Sequence, residues 1–299
     1  MEDVELLKRM QKDDERAFAG AKAAANSRAD GCMGRMVKLH NRYVSLALLL
    51  LGTLRLQAQA RIEPQGYGLI AHRGGVVDNT TAENSLEALK KAIERGYDRV
   101  EIDVRMSKDS VFIVHHDRNF IRYYGLDKPV DQLTWSAMQK LKGNLGNRVH
   151  SLEEILSAAR GHIKVMVDLK IPGNDTLLHA KLIHMLAQYG MLADGMMIGT
   201  EASTDFYRGK IALSCTRQQL EDNMLRPDYH PSHYYLFSGQ ITADDVKWAA
   251  RHGIPVVGVI NAWAQRGDAM TKGADAAKAL LAAGVRTFQI DSMFDVFFL

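Results

Sequence analysis

From Tyr67 onward the sequence predicts an α/β fold, a (β/α)8 TIM barrel. Short apolar runs suited to strands recur near residues 69, 102, 166, 197, 213, 235, 257 and 288, and each except the last is followed by a helical pattern. The series fills about 240 residues, close to the ~250 typical of a closed (β/α)8 barrel. Polar residues gather where the first strand runs end, which is where the loops of such a barrel build a site. A doubly wound open sheet is the alternative, and it requires a change of direction midway along the sheet.

Taken in order, strand 68–71 is followed by a helix over 85–95, with Asn84 as N-cap, Leu86, Leu89 and Ile93 on one face and Gly96 as stop. Strand 99–105 and the run 111–115 are separated by the polar turn Ser107-Lys108-Asp109-Ser110, which predicts a hairpin-like continuation. Residues 117–150 read as an irregular excursion with a short helix over 135–141, placed where it can shape access to a site. Ser151 and Glu154 form a capping box for a helix to Arg160, closed by Gly161. The alternation continues through strand 164–169, helix 175–189, strand 196–199, short helix 203–208, strand 211–215 and helix 216–223. Strand 234–237, helix 243–252, strand 255–260, helix 273–283 and strand 286–290 complete it.

Of 299 residues, 46% are hydrophobic and 24% charged, an ordinary globular composition. The formal charge of +3 invites a nucleic-acid reading, but ten of the 38 Lys/Arg and seven of the 35 Asp/Glu lie in residues 1–60, leaving 28 of each beyond. The balanced remainder has no basic stripe for a phosphate backbone. Cys32 and Cys215 imply no disulfide framework, and Cys215 reads as a buried apolar residue. Residues 36–60 have the pattern of a secretory signal: Lys38 and Arg42 lead an apolar centre from Val44 to Leu54, and Ala58-Gln59-Ala60 supplies a cleavage site. That centre is shorter than the ~20 residues of a membrane span. Cleavage near Ala60 implies a periplasmic or secreted product, with 61–299 as the barrel domain. Residues 1–20 resemble the opening helix of an extracytoplasmic-function sigma factor, and 1–35 read as a start-site or fusion extension ahead of Met36.

The chemistry concentrates in residues 69–117. The first strand ends in His72-Arg73-Gly74-Gly75, the second carries Glu101 and Asp103, and a third run ends in His115-His116-Asp117. Residues two apart in a strand share a side, so Glu101 and Asp103 face together. Two such carboxylates repel unless something positive sits between them, and a hard divalent cation with oxygen ligands meets that need. Asp168 and Lys170 end the third barrel strand, again on one side. Imidazoles at His72 and His116 exchange protons near neutrality, Arg73 can fork a phosphate oxygen pair, and the glycines after it allow a close backbone approach to a ligand. The set suits metal-assisted acid/base chemistry on a phosphate ester.

H-R-G at 72–74, E-N-S at 83–85, E-x-D at 101–103 and H-D at 116–117 resemble, in order and spacing, the glycerophosphodiester phosphodiesterase family. A weaker resemblance continues through SLEEIL at 151–156, VDLK at 167–170, VVGVIN at 256–261 and TFQID at 287–291. It implies a TIM barrel of the phospholipase-C-like phosphodiesterase type, His72 and His116 as the catalytic pair, and Ca2+ or Mg2+ on Glu101, Asp103 and Asp168. The family's H-D motif, with strand alternation, selects His116 over His115. The family usually has glutamate where Asp168 stands; the shorter residue resembles the related venom-type phospholipases D. Glu83 and Asn84 match the family's E-N motif and are expected to support the site from behind, Asn84 also serving as helix cap.

The expected activity is hydrolysis of a glycerophosphodiester to glycerol phosphate and an alcohol, with Arg73 and Lys170 on the phosphate. One rival is a phospholipase D or lyase on intact lipid, in transient contact with a membrane surface through Phe120, Tyr123 and Tyr124. A non-catalytic phosphate-ligand binding protein is another, and it ordinarily lacks one of the imidazoles or carboxylates present here. A DNA- or polymerase-associated module is opposed by the charge balance.

Overall fold

A computed structural model describes residues 66–262 and 267–299. In chain order the strands are β1 (Gly68–Ala71), β2 (Arg99–Met106), β3 (Phe112–Val114), β4 (Asn119–Phe120), β5 (Leu126–Pro129) and β6 (His150–Ser151), then β7 (Lys164–Leu169), β8 (Met196–Ile198), β9 (Ala212–Cys215), β10 (Tyr234–Ser238), β11 (Val256–Ile260) and β12 (Thr287–Ile290). Strands β1, β2 and β7 to β12 pair in parallel in that order, and β1 also pairs with β12, so the sheet closes. This is the predicted (β/α)8 barrel, and the open-sheet alternative is excluded by the β1–β12 ladder. The hairpin-like continuation is also present: β2 outruns its parallel neighbours and pairs antiparallel with β3, which pairs with β6.

Helices form where the side chains cap them. Ser151 with Glu154, Thr216 with Gln219 and Thr242 with Asp245 make reciprocal capping boxes at helices Leu152–Ala159, Arg217–Met224 and Ala243–Arg251. The helix predicted over 273–283 begins earlier, at Ala269, because Asp268 accepts from the amides of Met270 and Thr271. Asn84 is not the cap of helix Leu86–Glu94. Ser85 accepts from the Ala88 amide instead, and Asn84 is committed elsewhere.

Strand alternation divides the core in two. Leu69, Ala71, Val100, Ile102, Val104, Val165, Val167 and Leu169 face outward into the layer beneath the helices. Ile70, Met166, Tyr235 and Val257 form a separate cluster. They come from β1, β7 and the adjacent pair β10 and β11, and neither β1 nor β7 pairs with the other or with that pair, so the cluster forms across the interior. They therefore plug the barrel, and the next inward positions above them, His72 just past β1 and Asp168 on β7, stand over the plug. Cys215 is buried as expected, and burial pushes its thiol up to about 11. Residues 36–60, read as a signal, residues 1–20, read as sigma-like, and Cys32 lie outside the described residues.

Candidate active site

The register of β2 and β7 sets the acidic centre. Asp103 pairs with Asp168 and Glu101 with Met166, so the two aspartates stand side by side on the inner face, with Glu101 one inward position deeper. One oxygen from each of Glu101, Asp103 and Asp168 lies within 4.8 Å of the others. Glu101 is 0% exposed and Asp103 1%. Lys170 answers this charge from beyond the end of β7, its Nζ at 2.7 Å from Asp168 Oδ2 and 3.3 Å from Asp103 Oδ1.

One ammonium among three carboxylates leaves the centre net negative. Burial first, then the charges of Asp103 and Asp168, push the Glu101 carboxyl well above the usual range. Burial and Asp103 raise Asp168 against the opposing pull of Lys170. The two acids raise the Lys170 ammonium despite its burial. Glu101 Oε1 is buried without a hydrogen bond, and Asp103 Oδ1, likewise buried and without one, meets only the Lys170 ammonium at 3.3 Å; buried acceptors left this way are open to a cation.

The imidazoles flank this centre, each backed by a carboxylate. His72 continues β1 inward; its Nδ1 lies 2.6 Å from Asp291 Oδ1 and its Nε2 3.9 Å from Glu101 Oε2. Asp291 follows β12 and accepts from the Ala262 amide at 2.6 Å through its other oxygen. Burial alone would raise Asp291; the hydrogen bond and charge of His72 and the Ala262 amide overcome it and hold the carboxyl below its ordinary value. His116 Nδ1 faces Asp117 Oδ1 at 2.9 Å, and Arg105 holds the His116 carbonyl with two donors at 3.1 and 2.7 Å. His115 points the other way, as alternation required. It is 6% exposed, stacked on Phe120 with ring centroids 4.8 Å apart, with Nε2 at the Asn119 carbonyl. Burial lowers its pKa, and it takes no part in the site.

The turn after β1 is held in a shape few residues adopt. Arg73 has φ 54° and Asn84 φ 51°, a left-handed conformation that costs non-glycine residues about 1–3 kcal/mol when unsupported. Here the Arg73 amide donates to Glu101 Oε2 at 2.7 Å and the Asn84 amide to the Arg73 carbonyl at 2.8 Å. Asn84 also brackets Asp103, giving Nδ2 to its carboxylate at 2.9 Å and accepting its amide at 3.1 Å. The glycines do something other than admit a ligand. A Cβ at Gly74 would sit 2.5 Å from Asn84 Cα, and one at Gly75 2.1 Å from the Ala88 carbonyl oxygen. They let the turn press against the chain's own backbone.

All nine sequence-predicted residues thus lie at this end of the barrel: His72, Arg73, Glu83, Asn84, Glu101, Asp103, His116, Asp168 and Lys170. Asp291, Asp117, Arg105 and Arg122 were not singled out for a role. Asp291 had a signal, since it closes TFQID at the end of the eighth barrel strand. The excursion departs from expectation: Phe120 is fully buried and Tyr124 partly so, both packed in a satellite core with Ile113, Val130 and Met138.

A family model described as the Glycerophosphoryl diester phosphodiesterase family matches residues 72–204. Over these residues the chain is similar to that family. The match covers the glycerophosphodiester phosphodiesterase motifs from His72 through Lys170, and Asp291 lies outside it. Probable glycerophosphodiester phosphodiesterase 2 of Mycobacterium tuberculosis is 33% identical over 101 residues, 34% of this chain and 38% of its own length. A Homo sapiens lysophospholipase D is 27% identical over 133 residues, 40% of this chain and 41% of its own. The aligned segments thus span less than half of these relatives. Among solved structures, a glycerophosphoryl diester phosphodiesterase of Parabacteroides distasonis aligns with TM-score 0.62 and 22% identity, covering 78% of this chain and 86% of its own. An Oleispira antarctica phosphodiesterase in complex with sn-glycerol-3-phosphate gives 0.58 and 17%, with coverage of 77% and 94%. At these identities the structural likeness is one of fold.

Proposed function

We propose that the chain hydrolyses glycerophosphodiesters to glycerol phosphate and an alcohol, with a divalent cation, Ca2+ or Mg2+, held by Glu101, Asp103 and Asp168. The observation that carries this is the convergence of Glu101, Asp103 and Asp168, with the buried Glu101 Oε1 left without a hydrogen bond, in a net-negative centre between two carboxylate-backed imidazoles. The donor set is all oxygen, as a hard cation requires. When bound, the cation supplies Lewis-acid polarisation of a phosphoryl oxygen.

The remaining work falls to the chain's own groups. Arg73, steadied by Glu83 at 3.0 Å, and Lys170 supply positive charge for the phosphate. His72 and His116 each commit Nδ1 to a carboxylate, so each has Nε2 free to exchange a proton with the substrate. One Nε2 takes the proton of the attacking hydroxyl, which comes either from water or from the neighbouring hydroxyl of the glycerol, the second route giving a cyclic phosphate first that a water must then open to glycerol phosphate. The other delivers a proton to the leaving alkoxide as its bond to phosphorus breaks. The solved Oleispira antarctica complex with sn-glycerol-3-phosphate supports this choice of product by analogy of fold.

Hydrolysis of a panel of glycerophosphodiesters, with and without chelator, tests the proposal. The expected result is turnover that chelator removes and Ca2+ or Mg2+ restores. Full rates in excess chelator would remove the cation, and no turnover of any diester would remove the activity.

We also read residues 36–60 as a cleaved signal and 61–299 as the mature domain outside the cytoplasm; N-terminal sequencing of the expressed protein checks this, and a secreted product retaining Met1 would refute it. Of the excursion's apolar side chains offered to a membrane surface, Phe120 is buried and Ile121 is half-exposed.

A further inference from the structure

Beside the acidic centre lies a second group of potential ligands: Glu83, His116 and Asp117 each present an atom within 4.8 Å of the others. This group already has its cation. The Arg122 guanidinium donates through Nε and Nη2 to the two oxygens of Asp117 at 2.7 and 2.9 Å. Through Nη1 and Nη2 it donates to the two oxygens of Glu83 at 2.9 and 2.5 Å. Both carboxylates are therefore gripped in the forked geometry that arginine alone among the side chains provides.

Each carboxylate also holds something else. Asp117 Oδ1 faces His116 Nδ1 at 2.9 Å, and Glu83 Oε2 accepts from Arg73 Nη1 at 3.0 Å. The contacts run without a gap from His116 through Asp117, Arg122 and Glu83 to Arg73. We propose that Arg122 is a positioning residue, a crosspiece that fixes the proton-exchanging imidazole and the phosphate-binding guanidinium in one frame. This rests on the hydrolase reading given above.

A plain staple between the excursion and the barrel is the competing account, and the geometry opposes it. Arg122 sits on the four-residue helix Ile121–Tyr124 with its side chain 39% exposed, stacked 4.7 Å over the Tyr123 ring. The excursion has its own anchor in the satellite core around Phe120 and Met138. Removing the guanidinium thus opens no cavity. It leaves the Glu83 side chain, only 4% exposed, with Arg73 as its remaining ion-pair partner among the described residues, and it frees Asp117 to rotate away from His116.

The test uses the full chain with its divalent cation present and two variants, Arg122→Met and Arg122→Lys. Three readouts are needed: kcat and KM on a glycerophosphodiester, affinity for inorganic phosphate by calorimetry, and the thermal midpoint. Arg122→Met is expected to lower kcat about 10- to 100-fold, the usual effect of removing a group that orients a site residue. Its phosphate affinity should fall through Arg73, while the midpoint moves by no more than about 2–4 °C. Arg122→Lys keeps the charge and loses the fork, so it should resemble Arg122→Met, and free guanidinium should restore part of the kcat lost in Arg122→Met. Wild-type kcat and phosphate affinity in both variants overturns the proposal, as does full activity in Arg122→Lys or a loss matched by the unfolded fraction. If the wild-type chain turns over no diester, the hydrolase reading fails, and phosphate affinity still decides whether Arg122 governs Arg73.

Discussion

The two walls of the barrel are built on the same geometry and filled in opposite ways. Strands β12, β1, β2 and β7 lead to Asp291, His72, Glu101, Asp103, Asp168 and Lys170, joined by hydrogen bonds or ion pairs at 2.6 to 3.9 Å. The facing wall, β8 to β11, turns Met196, Ile198, Ala212, Tyr235, Phe237 and Val257 inward. The apolar filling, to which β1 and β7 add Ile70 and Met166, sets the surroundings of the acids. Burial is the first cause that raises Glu101, and the Arg73 amide and the Lys170 ammonium offset it only in part, so a further cation or a proton would relieve the remaining cost. A site polar on both sides would hold the same acids comfortably and bind an ion less firmly.

The largest test of this division is removal of the imidazoles. His72→Ala or His116→Ala should lower kcat by about 10²–10⁴-fold, the range for a lost general acid or base, with the thermal midpoint little changed. Near-normal rates in both variants would take the polar wall out of the reaction. Asp291→Asn should cost less, about 10- to 100-fold in kcat, because it orients His72 without touching substrate. An Asp291→Asn loss as large as that of His72→Ala would mean the carboxylate itself enters the chemistry.

Much of this wall was legible in the sequence, for a physical reason. Strand alternation places Glu101 with Asp103 and separates His115 from His116, and it needs only the residues of one strand. What was not legible depends on contacts between distant segments. Ser85 in place of Asn84 as cap could not be told from the run Asn84-Ser85, because what decides it is Asp103, nineteen residues on, claiming the Asn84 side chain. The glycines at 74 and 75 were read as room for a ligand; only the return of helix Leu86–Glu94 shows that they make room for backbone. Phe120 and Tyr124 read as an exposed face because the excursion has no period, and its separate small core appears only when Ile113 and Met138 close over Phe120.

A smaller effect comes from the charge of Glu101 itself. Its carboxyl titrates well above the ordinary 4.5 in the cation-free fold, so the folded state binds more protons there than the unfolded chain. The sign follows: the Glu101 contribution to stability is fully present below about pH 4.5 and is lost as pH rises toward the folded value. Buried His115 and His150 have lowered values and act in the opposite sense, losing stability on acidification below about 6.5. The measurement must therefore isolate Glu101. In chelator, Glu101→Gln should melt above wild type near pH 7–8, with the advantage shrinking toward pH 5; saturating Ca2+ or Mg2+ should stabilise wild type and leave Glu101→Gln nearly unmoved. A constant difference at every pH, or equal stabilisation by the cation, would mean that Glu101 is not the strained ligand.

The smallest predicted effect probes the apolar wall. Tyr235 is fully buried in the plug, 5.7 Å from the Phe237 ring centroid, and its hydroxyl donates to the Met197 carbonyl at 3.1 Å. Burial drives its phenol far above the ordinary value, so it remains neutral at any working pH. Tyr235→Phe removes one hydrogen bond while keeping the ring, a loss of about 1 kcal/mol, or a fall of about 2–4 °C in thermal midpoint for a domain of this size. Because the hydroxyl bonds to β8 and touches none of the acids, kcat and cation affinity should stay at wild-type values. If kcat fell with the midpoint unchanged, the plug would be setting the position of Asp168 on the opposite wall, and the two walls would have to be treated as one catalytic unit.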